Sequence, residues 1–192
     1  MTKIILASQS KTRKIIMDSL GIEYSIIPAH IDEKAIRDKN LKLRAQKIAQ
    51  AKARHVASQN KGIIIASDTF CVCQGTVLEK PQDEQEAKKM LRLQSKNNCI
   101  LYTGFCYIDN VNHFEVCKTA VTRYLFRKLS EAEINNFVKN NPVTLWSAAF
   151  SANYVYQSTF VEKINGSYSG MVYGLPMEFV IPCLSRSHAL KF

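Results

Sequence analysis

Apolar positions along the chain fall into short blocks whose spacing switches between that of strands and that of helices. "KIILAS" (3–8) reads as a buried strand, and "KTRKIIMDSLG" (11–21) as a short helix that Ser10 can cap and Gly21 can end. "EYSIIP" is a second strand, stopped by Pro28, and the polar run "AHIDEKAIRDKN" reads as a loop. "LKLRAQKIAQAKARHVASQ" then repeats apolar or alanine residues at helical spacing. "GIIIAS" and "FCVCQGTVLEK" read as two strand-like stretches on either side of Asp68, with Gly75 as a turn or bulge. "DEQEAKKMLRLQ" is a helix with acids in its first turn, the polarity a helix dipole favours. "NCILYTGFCYID" and "HFEVCKTAVTRYLFRK" predict an antiparallel pair around "NVN". "LSEAEINNFVKNN" opens on the capping box Ser130-x-x-Glu133 and stops before Pro142. In the tail, "NGSYSGMVYGLP" reads as a loop and Pro176 as the start of a short last helix. This alternation predicts an α/β fold with a mixed sheet, because some strands are joined by hairpins and others by helices.

At 192 residues the chain suits one folding unit spanning 1–192. Apolar residues at 46% and charged residues at 22% exclude a disordered composition. No stretch approaches the roughly eighteen apolar residues of a membrane span, and the run in "MTKIILASQS" is too short for a secretory signal. The expected location is cytoplasmic, with no membrane partner. Six cysteines without CxxC or framework spacing read as reduced core thiols rather than disulfides or zinc ligands.

A formal charge of +10 points to an anionic partner. Its basic residues are dispersed, so the chemistry of a nucleotide is favoured over that of nucleic acid. Neither GxxxxGK[ST] nor GxGxxG occurs, which removes the P-loop and dinucleotide readings. "ASQSKTRK" offers a different phosphate cradle: hydroxyls at Ser8 and Ser10, then a helix start carrying Lys11, Arg13 and Lys14. Asp32-Glu33 and Asp68 each follow apolar segments and could stand at a sheet edge, where a hard dication would find oxygen ligands. Asp68 beside buried surface requires a compensating cation.

Taken in order, "LASQSKTRKIIMDSLGIEYSIIPAHIDE", "AQAKA", "ASDTFCVCQGTVLEKPQDEQEAKKML", "YTGF", "LSEAEINNFV" and "VEKINGSYSGMVYGLPM" resemble the Maf family of nucleoside triphosphate pyrophosphatases over nearly the whole chain. The resemblance implies an elongated mixed sheet flanked by helices, two lobes with a central cleft, and often a homodimer. It implies hydrolysis of a nucleoside triphosphate to the monophosphate and diphosphate, dependent on magnesium or manganese. Asp68 matches the acid assigned as proton acceptor, and Glu33 the acid of the "DE" motif; both would hold the metal. Ser8, Arg13, Lys52 and Lys80 match the polar and cationic positions around the phosphates, with Lys80 counted beside the two acids in the catalytic set.

Base specificity reads less simply. Thr12 is neither the arginine of the dTTP/UTP branch nor the tryptophan of the 7-methyl-GTP branch. Thr69 is similar to the former branch, whereas Phe150, "YTGF" and "LSEAEINNFV" look like the latter. Asn153 stands where the branches carry Gln or Glu, and "WSAAFSANY" has alanine where the pattern has glycine. The expectation leans slightly to 7-methyl-GTP, with dTTP/UTP as the alternative. A rival of a different class is a catalytically decayed module that binds nucleotide or nucleic acid.

Overall fold

The computed structural model describes residues 2–153 and 155–190. The elements run β1 (Ile4–Leu6), α1 (Lys11–Asp18), β2 (Ser25–Ile26), a 3-10 turn (Glu33–Ala35), α2 (Leu41–Ala57), β3 (Ile63–Cys73), β4 (Thr76–Leu78), α3 (Glu84–Gln94), β5 (Asn98–Asp109), β6 (Phe114–Phe126), α4 (Glu131–Asn140), 3-10 turns at Val143–Leu145 and Ser147–Ala149, α5 (Val155–Ser158), β7 (Val161–Asn165), α6 (Tyr168–Tyr173) and α7 (Met177–Arg186). The strands form a mixed seven-stranded sheet in the order β2-β1-β3-β5-β6-β7, with β4 paired to β3. β1 is parallel to β2 and β3, whereas β3–β4 and β6–β7 are antiparallel. Contacts divide the chain into two compact units, one of residues 1–68, 102–120 and 169–192 and the other of 69–101 and 121–168.

In the first unit, side-chain alternation along β1 and β3 builds two cores. Ile4, Leu6, Ile63 and Ile65 point to one face, where they meet Met17 of α1 and Val180 and Leu184 of α7. Ile5, Ile64 and Ala66 point to the other, against Ala49, Ala53 and Val56 of α2. These runs are apolar without a break because both faces are covered, as parallel strands require. Gly104 on β5 lets α2 come close: a Cβ there would lie 2.0 Å from the carbonyl oxygen of Ala45. Ser10 caps α1 by accepting from the Arg13 amide, as expected, and the chain turns after the helix at Gly21, whose φ is 64°.

The second unit is an aromatic core around Phe126, Phe137 and Phe160, all buried. The expected capping box on α4 is present, Ser130 and Glu133 each accepting from the other's backbone N–H. Gln74 and Gly75, both at positive φ, turn β3 back into β4. Ala148 and Ala149 have φ of 57° and 56°, a left-handed conformation that suits glycine and strains alanine.

The structure departs from the sequence reading at several places. Residues 63–73 form one strand through Ser67, Asp68 and Thr69, not two strands flanking them. The 29–40 loop contains a 3-10 turn. β7 was not anticipated; its side chains are mostly exposed, and pairing with β6 sustains it. Residues 168–173 are helical rather than loop, because Met171 and Val172 are buried.

Two substitutions should have opposite signs in urea denaturation. Gly104→Ala should lower stability by roughly 2–3 kcal/mol, since backbone must move to admit the methyl. Ala149→Gly should raise it by roughly 0.5–1 kcal/mol by relieving left-handed strain at a buried position.

Candidate active site

Lys52 is only 8% exposed because it belongs to the apolar stripe of α2, with Ala45, Ile48, Ala49, Ala53 and Val56. Helical spacing turns it toward the sheet, so its stem is covered and its ammonium must find partners there. Asp68 supplies one. Ile64 and Ala66 face α2, and alternation carries residue 68 to the same side. The Lys52 Nζ donates to Asp68 Oδ1 at 2.8 Å and lies 2.9 Å from Glu33 Oε2.

Glu33 reaches this point because its neighbour is otherwise engaged. Asp32 caps the 3-10 turn, its Oδ1 accepting from the amides of Lys34 and Ala35 at 3.0 and 3.2 Å. One acid of the "DE" pair shapes the turn and the other meets Lys52.

Arg13 is the second cation. Its guanidinium donates to Ser8 Oγ at 2.9 Å and to the Gly174 carbonyl at 2.8 Å. Burial lowers its pKa from the ordinary arginine range, while the negative charges of Asp68 and then Glu33 push it back up. Those opposing effects place Arg13 in the field of the same two acids. Ser8 Oγ also accepts from the Ser10 amide at 3.2 Å, which ties the expected phosphate loop to the arginine. Lys14, by contrast, is paired with Asp18 at 2.5 Å on the exposed side of α1.

Ser8, Ser10, Thr12, Arg13, Glu33, Lys52 and Asp68 therefore all lie in the first unit, with direct contacts linking the acids to Lys52 and Ser8 to Arg13. Thr12 is turned inward: its Oγ1 shares a hydrogen bond with Ser10 Oγ at 2.9 Å and donates to the Tyr173 carbonyl at 3.1 Å. The remaining expected residues fall in the second unit. Thr69 follows Asp68 in β3 and is half-buried; Lys80 is exposed beyond β4. Phe150 packs its ring 4.7 Å from that of Phe126, and Asn153 Oδ1 accepts from Ser151 Oγ at 2.5 Å.

Sequence reasoning gave no role to Ser67 or Gly174. The fully buried Ser67 hydroxyl lies 2.7 Å from the Gly104 carbonyl and 2.8 Å from that of Gly174, the carbonyl that also holds Arg13. Gly174, at φ 68°, adopts a conformation that a side chain would oppose. The signal was the late "GLP", quoted for the resemblance but not connected to the arginine.

The family described as Maf-like protein matches residues 3–187. The chain belongs to the Maf-like family. A dTTP/UTP pyrophosphatase of Syntrophomonas wolfei is 36% identical over 182 residues, covering 94% of this chain and 95% of that protein. One from Treponema denticola is 32% identical over 209 residues, covering 97% and 98%. Among solved structures, a HAM1 protein from Coxiella burnetii superposes with a TM-score of 0.54 at 16% identity, covering 97% of this chain and all of that one. That likeness shows the Maf/HAM1 type of α/β fold. Roles for Thr69, Lys80, Phe150 and Asn153 rest on the Maf resemblance.

The Lys52–Asp68 pair has a direct test. Lys52→Met should lower stability by about 2 kcal/mol, because a largely buried carboxylate loses its cation. The double variant Lys52→Met/Asp68→Asn should recover a good part of that loss in urea denaturation; costs that simply add would show that the two charges do not compensate one another.

Proposed function

We propose that this Maf-like protein is a nucleoside triphosphate pyrophosphatase, cleaving the α–β anhydride to release the monophosphate and diphosphate, and that its substrates are dTTP and UTP. The observation that carries the reading is the meeting of Asp68 and Glu33, from separate elements, on the single ammonium of Lys52. The full-length relatives named dTTP/UTP pyrophosphatase support the pyrimidine alternative over the lean to 7-methyl-GTP. A decayed module is the poorer account, since the two acids, Lys52 and Arg13 are all in place and interacting.

Chemically, an anhydride cleavage of this kind needs a positioned water, a proton acceptor and charge to receive the leaving group. Asp68 is the proton acceptor in this reading: its carboxylate is oriented by Lys52 and would take a proton from the water attacking the α-phosphorus. Arg13, fixed at two of its nitrogens by Ser8 and Gly174, presents an already ordered guanidinium to phosphate oxygens. Ser8 and Ser10 supply hydroxyls beside it, and Lys52 adds a second cation. The N-terminal turn of α1 adds its amides.

The donor set also fits a hard divalent cation. Asp68 and Glu33 bring two carboxylates to one point, the hard oxygen ligands that magnesium or manganese prefers. When bound there, such an ion supplies charge neutralisation for the departing diphosphate. Asp68 and Glu33 would hold it.

The deciding assay measures diphosphate release from a panel of dTTP, UTP, the other canonical triphosphates and 7-methyl-GTP, with magnesium or manganese. dTTP and UTP should be turned over fastest, and Asp68→Asn should lower kcat roughly 100-fold or more while retaining native circular dichroism. Turnover of none of these compounds, or full activity in Asp68→Asn, would refute the assignment.

A further inference from the structure

The first unit contains a second group of ionisable ligands that the proposed reaction does not use. Cys106 on β5, Cys117 on β6 and Glu115 on β6 bring two sulfurs and a carboxylate oxygen within 4.8 Å of one another. The hairpin explains the meeting. Cys106 lies three residues before the last residue of β5 and Cys117 three after the first of β6, on neighbouring strands of the sheet. Glu115 and Cys117, two apart on one strand, project from the same face. Cys106 is fully buried in the core beneath α2, Cys117 packs against the margin of that core, and Glu115 stands at the exposed rim.

We propose that Cys106, Cys117 and Glu115 form a binding site for a thiophilic divalent cation of the zinc class. Zinc bonds of about 2.3 Å to sulfur and about 2.0 Å to oxygen set tetrahedral ligand atoms about 3.5–3.8 Å apart, a spacing this group reaches with little movement. Three protein ligands leave the fourth position to water, and the exposed rim at Glu115 gives the ion a way in.

Charge is balanced as well. Two thiolates and a carboxylate exceed a dication by one negative charge, and Arg54 supplies the missing positive charge, its guanidinium 3.0 Å from Glu115 Oε1. Gln50 donates to the same oxygen at 2.7 Å, so the carboxylate is held in place by two residues of α2. Soft sulfur ligands separate this site chemically from Asp68 and Glu33, whose all-oxygen set suits magnesium or manganese. Each thiol surrenders its proton to solvent as the ion binds.

Cobalt(II) is the probe, titrated into the purified full chain under a non-thiol reductant. One equivalent should produce a near-ultraviolet sulfur-to-metal charge-transfer band that zinc abolishes, that survives in Asp68→Asn and that is lost in Cys117→Ser. Absence of the band would overturn the proposal. So would its persistence in Cys117→Ser, which would place the ion on the separate thiols Cys71, Cys73 and Cys99. Should Cys117→Ser fail to fold, alkylation of the unaltered protein decides the matter. Peptide mapping should show Cys117 labelled in chelator and protected by zinc, and equal labelling in both would refute the site.

Discussion

The ammonium of Lys52 lies between two carboxylates, and much of the first unit can be understood as the means of holding it there. A lysine so deeply covered is costly unless its charge is matched, and the match comes from one residue in the middle of a strand and another in a short turn. Each partner is delivered by ordinary backbone geometry: alternation along β3 for Asp68, a capped turn for Glu33, helical spacing for Lys52. The close approach of α2 at Gly104 and the covering of β3 on both faces are conditions for that meeting. The lysine keeps together two acids that would otherwise repel each other.

Helix α2 is therefore more than a cover for the sheet. Lys52 turns to Asp68 and Glu33, while Gln50 and Arg54, two residues to either side, turn to Glu115 on β6. The small residues Ala49 and Ala53 let the helix lie low enough for both sets of contacts. One helix thus touches both a catalytic candidate and a hairpin distant in sequence.

Much of this was legible in the sequence. The uninterrupted "IIIA" marked a strand, Ser10 marked a helix start, and Ser130 with Glu133 marked another. What failed did so for physical reasons. Ser67-Asp68-Thr69 looked like a break because polar residues interrupt an apolar run, yet Ser67 is satisfied by two carbonyls and Asp68 by a lysine, so the strand continues. β7 carries mostly exposed side chains and so has no burial pattern to read. α6 was hidden by Gly170 and neighbouring serines, whose turn chemistry outweighed the pattern of Met171 and Val172. In the site, residue types alone nominated Asp68 and Glu33, but no local pattern shows that Asp32 is used up as a cap. The order of events along the chain likewise gave no hint that Gly174 is the seat of Arg13.

That last contact spans 161 positions, and Thr12 reaches Tyr173 over the same separation. During synthesis α1 emerges long before Gly174, so the Arg13 guanidinium has no carbonyl to rest on until that distant segment is made. A nascent chain that has not reached Gly174 therefore carries Arg13 without the carbonyl that orders it, and the candidate site is completed only once two segments far apart in sequence have met.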